Sequence, residues 1–264
     1  MNSAWVPPSP ASKYGQRMLE FKELEQVRRF FGCSELQVRR DHAISHVLDA
    51  LQKMRTEMVF FGGTALSRTY LTEGRLSEDI DLYSNSRDRV CRELDHLPEM
   101  IEQEFPAANW EFLPSQVVDP KSALLNVDSV IKIRIQVLDA PSRDWDKIPT
   151  RMTSIHQRYS DVRSTQLVAP TLDSFAAMKV LAWFDRQKPR DLFDLAAISK
   201  LGNASDGARH IVQKFVGHDI SEKMLNRKIH GSWIEELAHQ TRLEVTEEEC
   251  LSNLLKWWRK ADSS

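Results

Sequence analysis

The sequence predicts an α/β protein: a mixed sheet with helices up to about residue 170, then a helical region. Three observations predict it. Ser129 to Asp139 alternates apolar and polar residues over its length, the period-2 pattern of a half-buried strand. Met58 to Phe61 is a short apolar run, and Gly62-Gly63 breaks it just before helical spacing begins. From Thr171 onward, apolar residues recur at helical spacing through successive segments.

Taken in order, residues 1–14 are rich in Pro and Ser and predict a mobile arm. Met18 to Phe31 reads as a charged helix. Glu35 to Met54 reads as a second, with Leu36, Ile44, Val47, Leu48 and Leu51 as its apolar stripe. The strand at Met58–Phe61 leads through the glycine pair into a helix with Thr64 near its cap. A strand carrying Asp79 and Asp81 follows, then a helix from Arg87 that Pro106 ends. Trp110 to Leu113 is a short strand. In the strand ending at Asp139, Ile131, Ile133, Ile135 and Val137 face one side, and Lys132, Arg134 and Gln136 the other. Arg143 to Arg163 is polar and reads as irregular or short-helical. Beyond it, helices are expected over about 171–186, 190–201, 210–216, 221–229, 233–242 and 247–260.

Composition narrows the class. At 41% hydrophobic and 28% charged, the chain can bury a core and is not disordered. A net charge of -2 rules out globally basic character, although Lys214 to Lys228 is locally basic. Cys33, Cys91 and Cys250 are scattered and form no zinc spacing, which fits a reduced, cytoplasmic setting. No stretch approaches the roughly 20 apolar residues of a membrane span, and the N-terminal stretch lacks the apolar core of a secretory signal. His42 and His46 are one helical turn apart without the HExxH glutamate and are expected on a helix surface. Trp257 and Trp258 are expected to finish a core rather than to stack RNA bases.

The chemistry concentrates in Met58 to Ser84. A glycine turn entering a helix offers backbone N–H groups to a phosphate. Asp79 and Asp81 share a strand face, about 6.6 Å apart along the strand, and offer hard oxygens to Mg²⁺. Much later, Lys179 lies among Phe175, Ala176, Ala182 and Trp183 at helical spacing, an unusual setting for a surface lysine. Asp191 and Asp194 share one face of the following helix.

In this order, FFGGTALSRTYL, GRLSEDIDLYS and SFAAMKVLAWFDRQKPRDLFDL resemble the AbiEii-type nucleotidyltransferase toxins, a group that includes the mycobacterial MenT toxins. The resemblance implies a polymerase-beta-like nucleotidyltransferase fold. It implies a catalytic set of Asp79, Asp81, Lys179 and Asp194, with Asp79 and Asp81 holding Mg²⁺. Gly62, Gly63, Thr64, Ser67, Arg68 and Lys179 are then expected to receive the nucleotide. Expected partners are an NTP, RNA (with the tRNA 3′ acceptor end as target) and a cognate antitoxin, with translation blocked and no membrane involved. The implied organisation is an arm over 1–14, a nucleotidyltransferase domain over 15–170 and a helical domain over 171–264 that completes the active site.

The chain departs from the family in one place. Related members often carry a further acid on the strand that here reads IKIRIQV, and this chain has Lys132, Arg134 and Gln136 there. One metal on Asp79 and Asp81 is therefore expected, with Asp139 a weak substitute for the third acid. The departure also keeps open a nucleotide- or RNA-binding module without turnover. A transferase acting on a protein or a small molecule is the other alternative.

Overall fold

A computed structural model describes residues 19–202 and 204–260. The expected arm, residues 1–14, lies outside the described residues. The chain forms two compact units: one runs to Lys147 and resumes over Arg151–Ala169, and the other comprises Ile148–Thr150 and the chain from Pro170.

The first unit is built on a five-stranded mixed sheet in the order β1-β2-β5-β4-β3, with β1 at Val59–Phe61, β2 at Asp79–Ser84, β3 at Asn109–Phe112, β4 at Ser122–Asn126 and β5 at Lys132–Asp139. β2 and β5 run parallel, and the other neighbours are antiparallel. Register follows burial. Ile80 lies opposite Ile135, Leu82 opposite Val137, and Leu125 opposite Ile133, all at most 3% exposed. A slip of one residue would turn Asp79 and Asp81 into this apolar layer, where an unpaired carboxylate is very costly. The register that buries the isoleucines thus presents both acids on the opposite face.

Helices α1 (Phe21–Phe31) and α2 (Glu35–Leu51) precede the sheet. Gly32 ends α1 in the left-handed region at φ 67°, which suits a residue without a side chain. The Ser34 hydroxyl then caps α2 by accepting from the Gln37 N–H at 3.2 Å. α2 is buried on nearly every side rather than along one stripe. Helix α3 (Gly62–Thr69) follows β1 without a loop. The single helix expected from Arg87 to Phe105 is two shorter ones, α4 (Arg87–Leu94) and α5 (Leu97–Met100), with Pro98 in the first turn of the second.

The polar stretch expected to be irregular or short-helical has one short 3₁₀ turn, Trp145–Lys147, but is otherwise more regular. It contains strand β6 (Thr150–Ile155), which pairs with β7 (Thr165–Pro170). β4 also lacked a strand expectation. Its SALLN sequence is too short for its alternation to stand out.

The second unit is helical: α6 (Leu172–Arg186), α7 (Pro189–Ile198), α8 (Ala204–Val216), α9 (Glu222–Leu225), α10 (Trp233–Leu237) and α11 (Glu247–Lys260). Thr171 caps α6, accepting from the Ser174 N–H at 3.3 Å. Gln187 turns the chain in the left-handed region at φ 49°, and Pro189 opens α7. Trp183 and Trp258 are fully buried, their indole N–H groups donating to the Leu225 and Ile220 carbonyls at 2.9 and 2.7 Å. Trp257 and Trp258 are therefore core residues, as expected. No helix among the described residues is long and apolar enough to cross a membrane.

In the first unit, Arg68 of α3 is fully buried and donates to the Asp41 carboxylate of α2 at 2.8 Å. Removing one partner of a buried pair leaves the other charge uncompensated, a cost of about 3–5 kcal/mol. Asp41→Ala should thus lower the unfolding free energy of the full-length protein, read from denaturant melts, by an amount of that order. Ser45→Ala, which removes one neutral acceptor from the same guanidinium, should cost about 1 kcal/mol.

Candidate active site

The glycine turn and the carboxylate strand meet in one place. Gly62 has φ 77°, and a Cβ there would overlap the Asp81 carboxylate. Two independent constraints, positive φ and the approach of Asp81, therefore require glycine. A Cβ on Gly63 would lie 2.8 Å from the Arg75 guanidinium and 3.1 Å from the Ser77 hydroxyl. Thr64 is inside α3 rather than at its cap, because the helix already begins at Gly62. Its hydroxyl donates to the Asp79 carbonyl and ties the helix start to the carboxylate strand.

Asp79 and Asp81 both remain partly exposed on one face of β2. In the parallel ladder Asp79 is opposite Arg134, and Asp81 opposite Gln136. Arg134 donates to both Asp79 carboxylate oxygens, at 2.9 and 3.1 Å. This hydrogen-bonded pair, followed by the charge of Asp79 itself, raises the guanidinium pKa above its ordinary value. The strand position where a third acid was sought therefore supplies a cation. Asp139 cannot replace that acid. It lies opposite Ser84, three residues beyond Gln136 and about 10 Å along the strand, and its carboxylate accepts from the Ser142 N–H.

The donor set fits Mg²⁺: two hard carboxylates on one face, beside a turn kept free of side chain at Gly62. Each Asp79 oxygen accepts one Arg134 hydrogen bond and keeps a second lone pair. Asp79 and Asp81 would hold the ion.

Two residues expected at the phosphates point elsewhere. The Ser67 hydroxyl is buried and donates back to the Thr64 carbonyl at 3.0 Å. Arg68 is occupied by Asp41, the Ser45 hydroxyl at 2.9 Å and the His156 carbonyl at 3.1 Å. Both lie on the inward face of α3, where a guanidinium needs protein partners. The arginine beside the glycine turn is Arg75, seven residues further along. Helical periodicity could not find it, because Arg75 follows the end of α3.

The helical unit has its own charged cluster. The Lys179 ammonium lies between the Asp191 and Asp194 carboxylates, at 3.0 and 2.7 Å. Arg186 donates to both Asp191 oxygens, at 2.7 and 3.0 Å. Burial pushes the Asp191 carboxyl up, but the charges and hydrogen bonds of Lys179 and Arg186 outweigh it and hold the group at about 2. Asp194 thus faces Lys179 rather than Arg190, which turns towards Glu236 at 3.8 Å.

One further cluster escaped the sequence reading. His42 and His46 are buried, not on a helix surface, and both face Asp161. The i, i+4 spacing of the histidines was visible. Their partner, 115 residues beyond His46, was not.

The family described as "Nucleotidyl transferase AbiEii toxin, Type IV TA system" matches residues 46–257. Among solved structures, MenT4, a nucleotidyltransferase toxin from Mycobacterium tuberculosis H37Rv, is similar over 91% of this chain and 90% of its own, at 17% identity and TM-score 0.66. Its similarity, with the mixed sheet, marks the polymerase-beta-like nucleotidyltransferase fold. A candidate nucleotidyltransferase from H. pylori also matches, at 16% identity and TM-score 0.48 over 87% of this chain and 98% of that one. No curated relative matches.

The Asp191 cluster makes stability depend on acidity. Its folded-state pKa of about 2 lies below the ordinary 3.8, so its contribution is full above about pH 4 and is lost as pH falls towards 2. The loss should be on the order of 2 kcal/mol. Denaturant melts of the wild type should show this fall between about pH 4 and pH 2. Asp191→Asn should be less stable at neutral pH and should lack this part of the acid dependence.

Proposed function

The chain belongs to the AbiEii family of nucleotidyltransferase toxins of type IV toxin–antitoxin systems, and on that basis we propose that it transfers a nucleoside monophosphate from an NTP to RNA, with the tRNA 3′ acceptor end as the target. The observation that carries this reading is the close approach of Gly62 to Asp81. It sets the first N–H groups of a helix beside two metal-type carboxylates.

In this reading Gly63 and Thr64 present backbone N–H groups to the phosphates, and Arg75 supplies positive charge at the same turn. Mg²⁺, when bound by Asp79 and Asp81, neutralises phosphate charge and polarises the α-phosphate. An RNA hydroxyl attacks the α-phosphorus in line and releases its proton to solvent. The new O–P bond forms as the bond to the β-phosphate oxygen breaks, and pyrophosphate leaves. Lys179 and Asp194 are assigned on the family resemblance, Lys179 to phosphate charge and Asp194 to positioning. Modified acceptor ends would no longer be charged with amino acids, which would block translation. A cognate antitoxin is the matching partner.

The Arg134–Asp79 pair favours one rival reading, nucleotide binding without turnover, because it neutralises one of the carboxylates that transfer requires. Incubation with each labelled NTP, Mg²⁺ and total tRNA separates the two. Label should appear on tRNA. Asp81→Ala, Gly62→Ala and Lys179→Ala should each lower it by about two orders of magnitude or more. Full labelling by Asp81→Ala would refute the site, and nucleotide binding with no labelled RNA would support the rival. Label on the protein itself would point to a protein acceptor.

A further inference from the structure

α2 carries a second constellation that the transfer reaction does not use. His42 and His46, one turn apart, direct both Nε2 atoms to the same oxygen of Asp161, at 2.8 and 3.2 Å. The two Nε2 atoms are themselves 3.2 Å apart. Metal–ligand bonds of 2.0–2.1 Å put neighbouring ligands about 3.4 Å apart in a tetrahedron and about 3.0 Å apart in an octahedron. The three donor atoms are therefore spaced like one face of a coordination polyhedron.

Two further observations point to a ligand. The other oxygen of Asp161 is buried without a hydrogen-bond partner, on a side chain only 8% exposed. A buried orphan carboxylate oxygen is costly unless something binds it. Beside it is a cavity of about 70 Å³, lined by His46, Asp161, Asp49 and Glu104 among others. A water occupies about 30 Å³ of liquid volume, so the cavity has room for water to complete a coordination shell. Asp49, one turn beyond His46, also has a buried oxygen without a partner. On the other flank, Tyr159 packs edge-on against His42 at 4.9 Å, and Phe105 against His46 at 5.5 Å. These rings screen the histidines from solvent.

We propose that His42, His46 and Asp161 bind a divalent transition cation, Zn²⁺ by ligand type. Two imidazole nitrogens with one carboxylate suit zinc and its neighbours, whereas Mg²⁺ and Ca²⁺ prefer all-oxygen shells. The ion would join the segment between β6 and β7 to α2. The same stretch of α2 holds Arg68 through Asp41 and Ser45, so the ion would also brace α3 and its glycine turn.

The test uses full-length, untagged protein stripped with a chelator, and its readout does not depend on nucleotidyl transfer. Titration of Zn²⁺ against a chromophoric competitor should show one site per chain, and Mg²⁺ should not compete for it. Co²⁺ should give ligand-field bands without a thiolate charge-transfer band, since the three cysteines are buried elsewhere. Zn²⁺ should raise the melting temperature of the wild type. His46→Gln and Asp161→Asn should each weaken binding by at least 100-fold and abolish the Co²⁺ bands, while His218→Ala should change neither. Stripped wild type that keeps its circular dichroism spectrum but binds no Zn²⁺ would overturn the proposal, whether or not the variants fold. Unchanged stoichiometry in a folded His46→Gln would also overturn it.

Discussion

A single guanidinium, that of Arg68, ties three segments of the nucleotidyltransferase unit together. It donates to the carboxylate and carbonyl of Asp41, to the Ser45 hydroxyl on α2 and to the His156 carbonyl, while the Arg68 main-chain carbonyl accepts from the His156 N–H. Burying a cation costs several kcal/mol before any partner is counted, so its geometry must be nearly complete to be tolerated. The same carboxylate accepts from the Tyr159 hydroxyl at 2.9 Å and has Arg158 at 3.6 Å. Arg158 then donates to the Ser67 and Thr72 carbonyls and closes the C-terminal end of α3. Burial, with the neighbouring charge of Arg68, lowers the Arg158 pKa to about 10. Burial and both arginines lower the His156 pKa to about 4, so that ring is neutral at physiological pH.

This network fixes the inward face of α3. At its other end the helix follows β1 directly, and Gly62 adopts a positive φ against Asp81. A buried ion pair is weak evidence for stability but suits a demand for one arrangement. Here that arrangement sets the glycine turn against the carboxylate strand.

Charge at the site is compensated across the sheet. Asp79 and Asp81 are neighbours of like sign, and the parallel pairing of β2 with β5 brings Arg134 alongside. A third carboxylate there would have drawn in further cation charge, whereas arginine reduces that demand. In the helical unit, Lys179 and Arg186 perform the corresponding service for Asp191 and Asp194.

Much of this was legible in the sequence. The alternation of Ile133, Ile135 and Val137 determined a strand and its buried face. The GGT turn and the DID triplet pointed to phosphate and metal chemistry, because few residue types serve either. The spacing of Leu251, Leu254, Leu255 and Trp258 marked a helix with one apolar face, of which Leu254 and Trp258 are fully buried. What local pattern could not carry was partnership between distant residues. Arg68 and Arg75 look alike in sequence, and tertiary packing buried both, one against Asp41 and the other beside Gly63. Arg134 read as a missing acid until the parallel register placed it on Asp79. The histidines of α2 read as surface residues until a segment more than one hundred residues later brought Asp161 to them. Periodicity fixes which face of an element is buried, but only the closed fold decides which charges must share that burial.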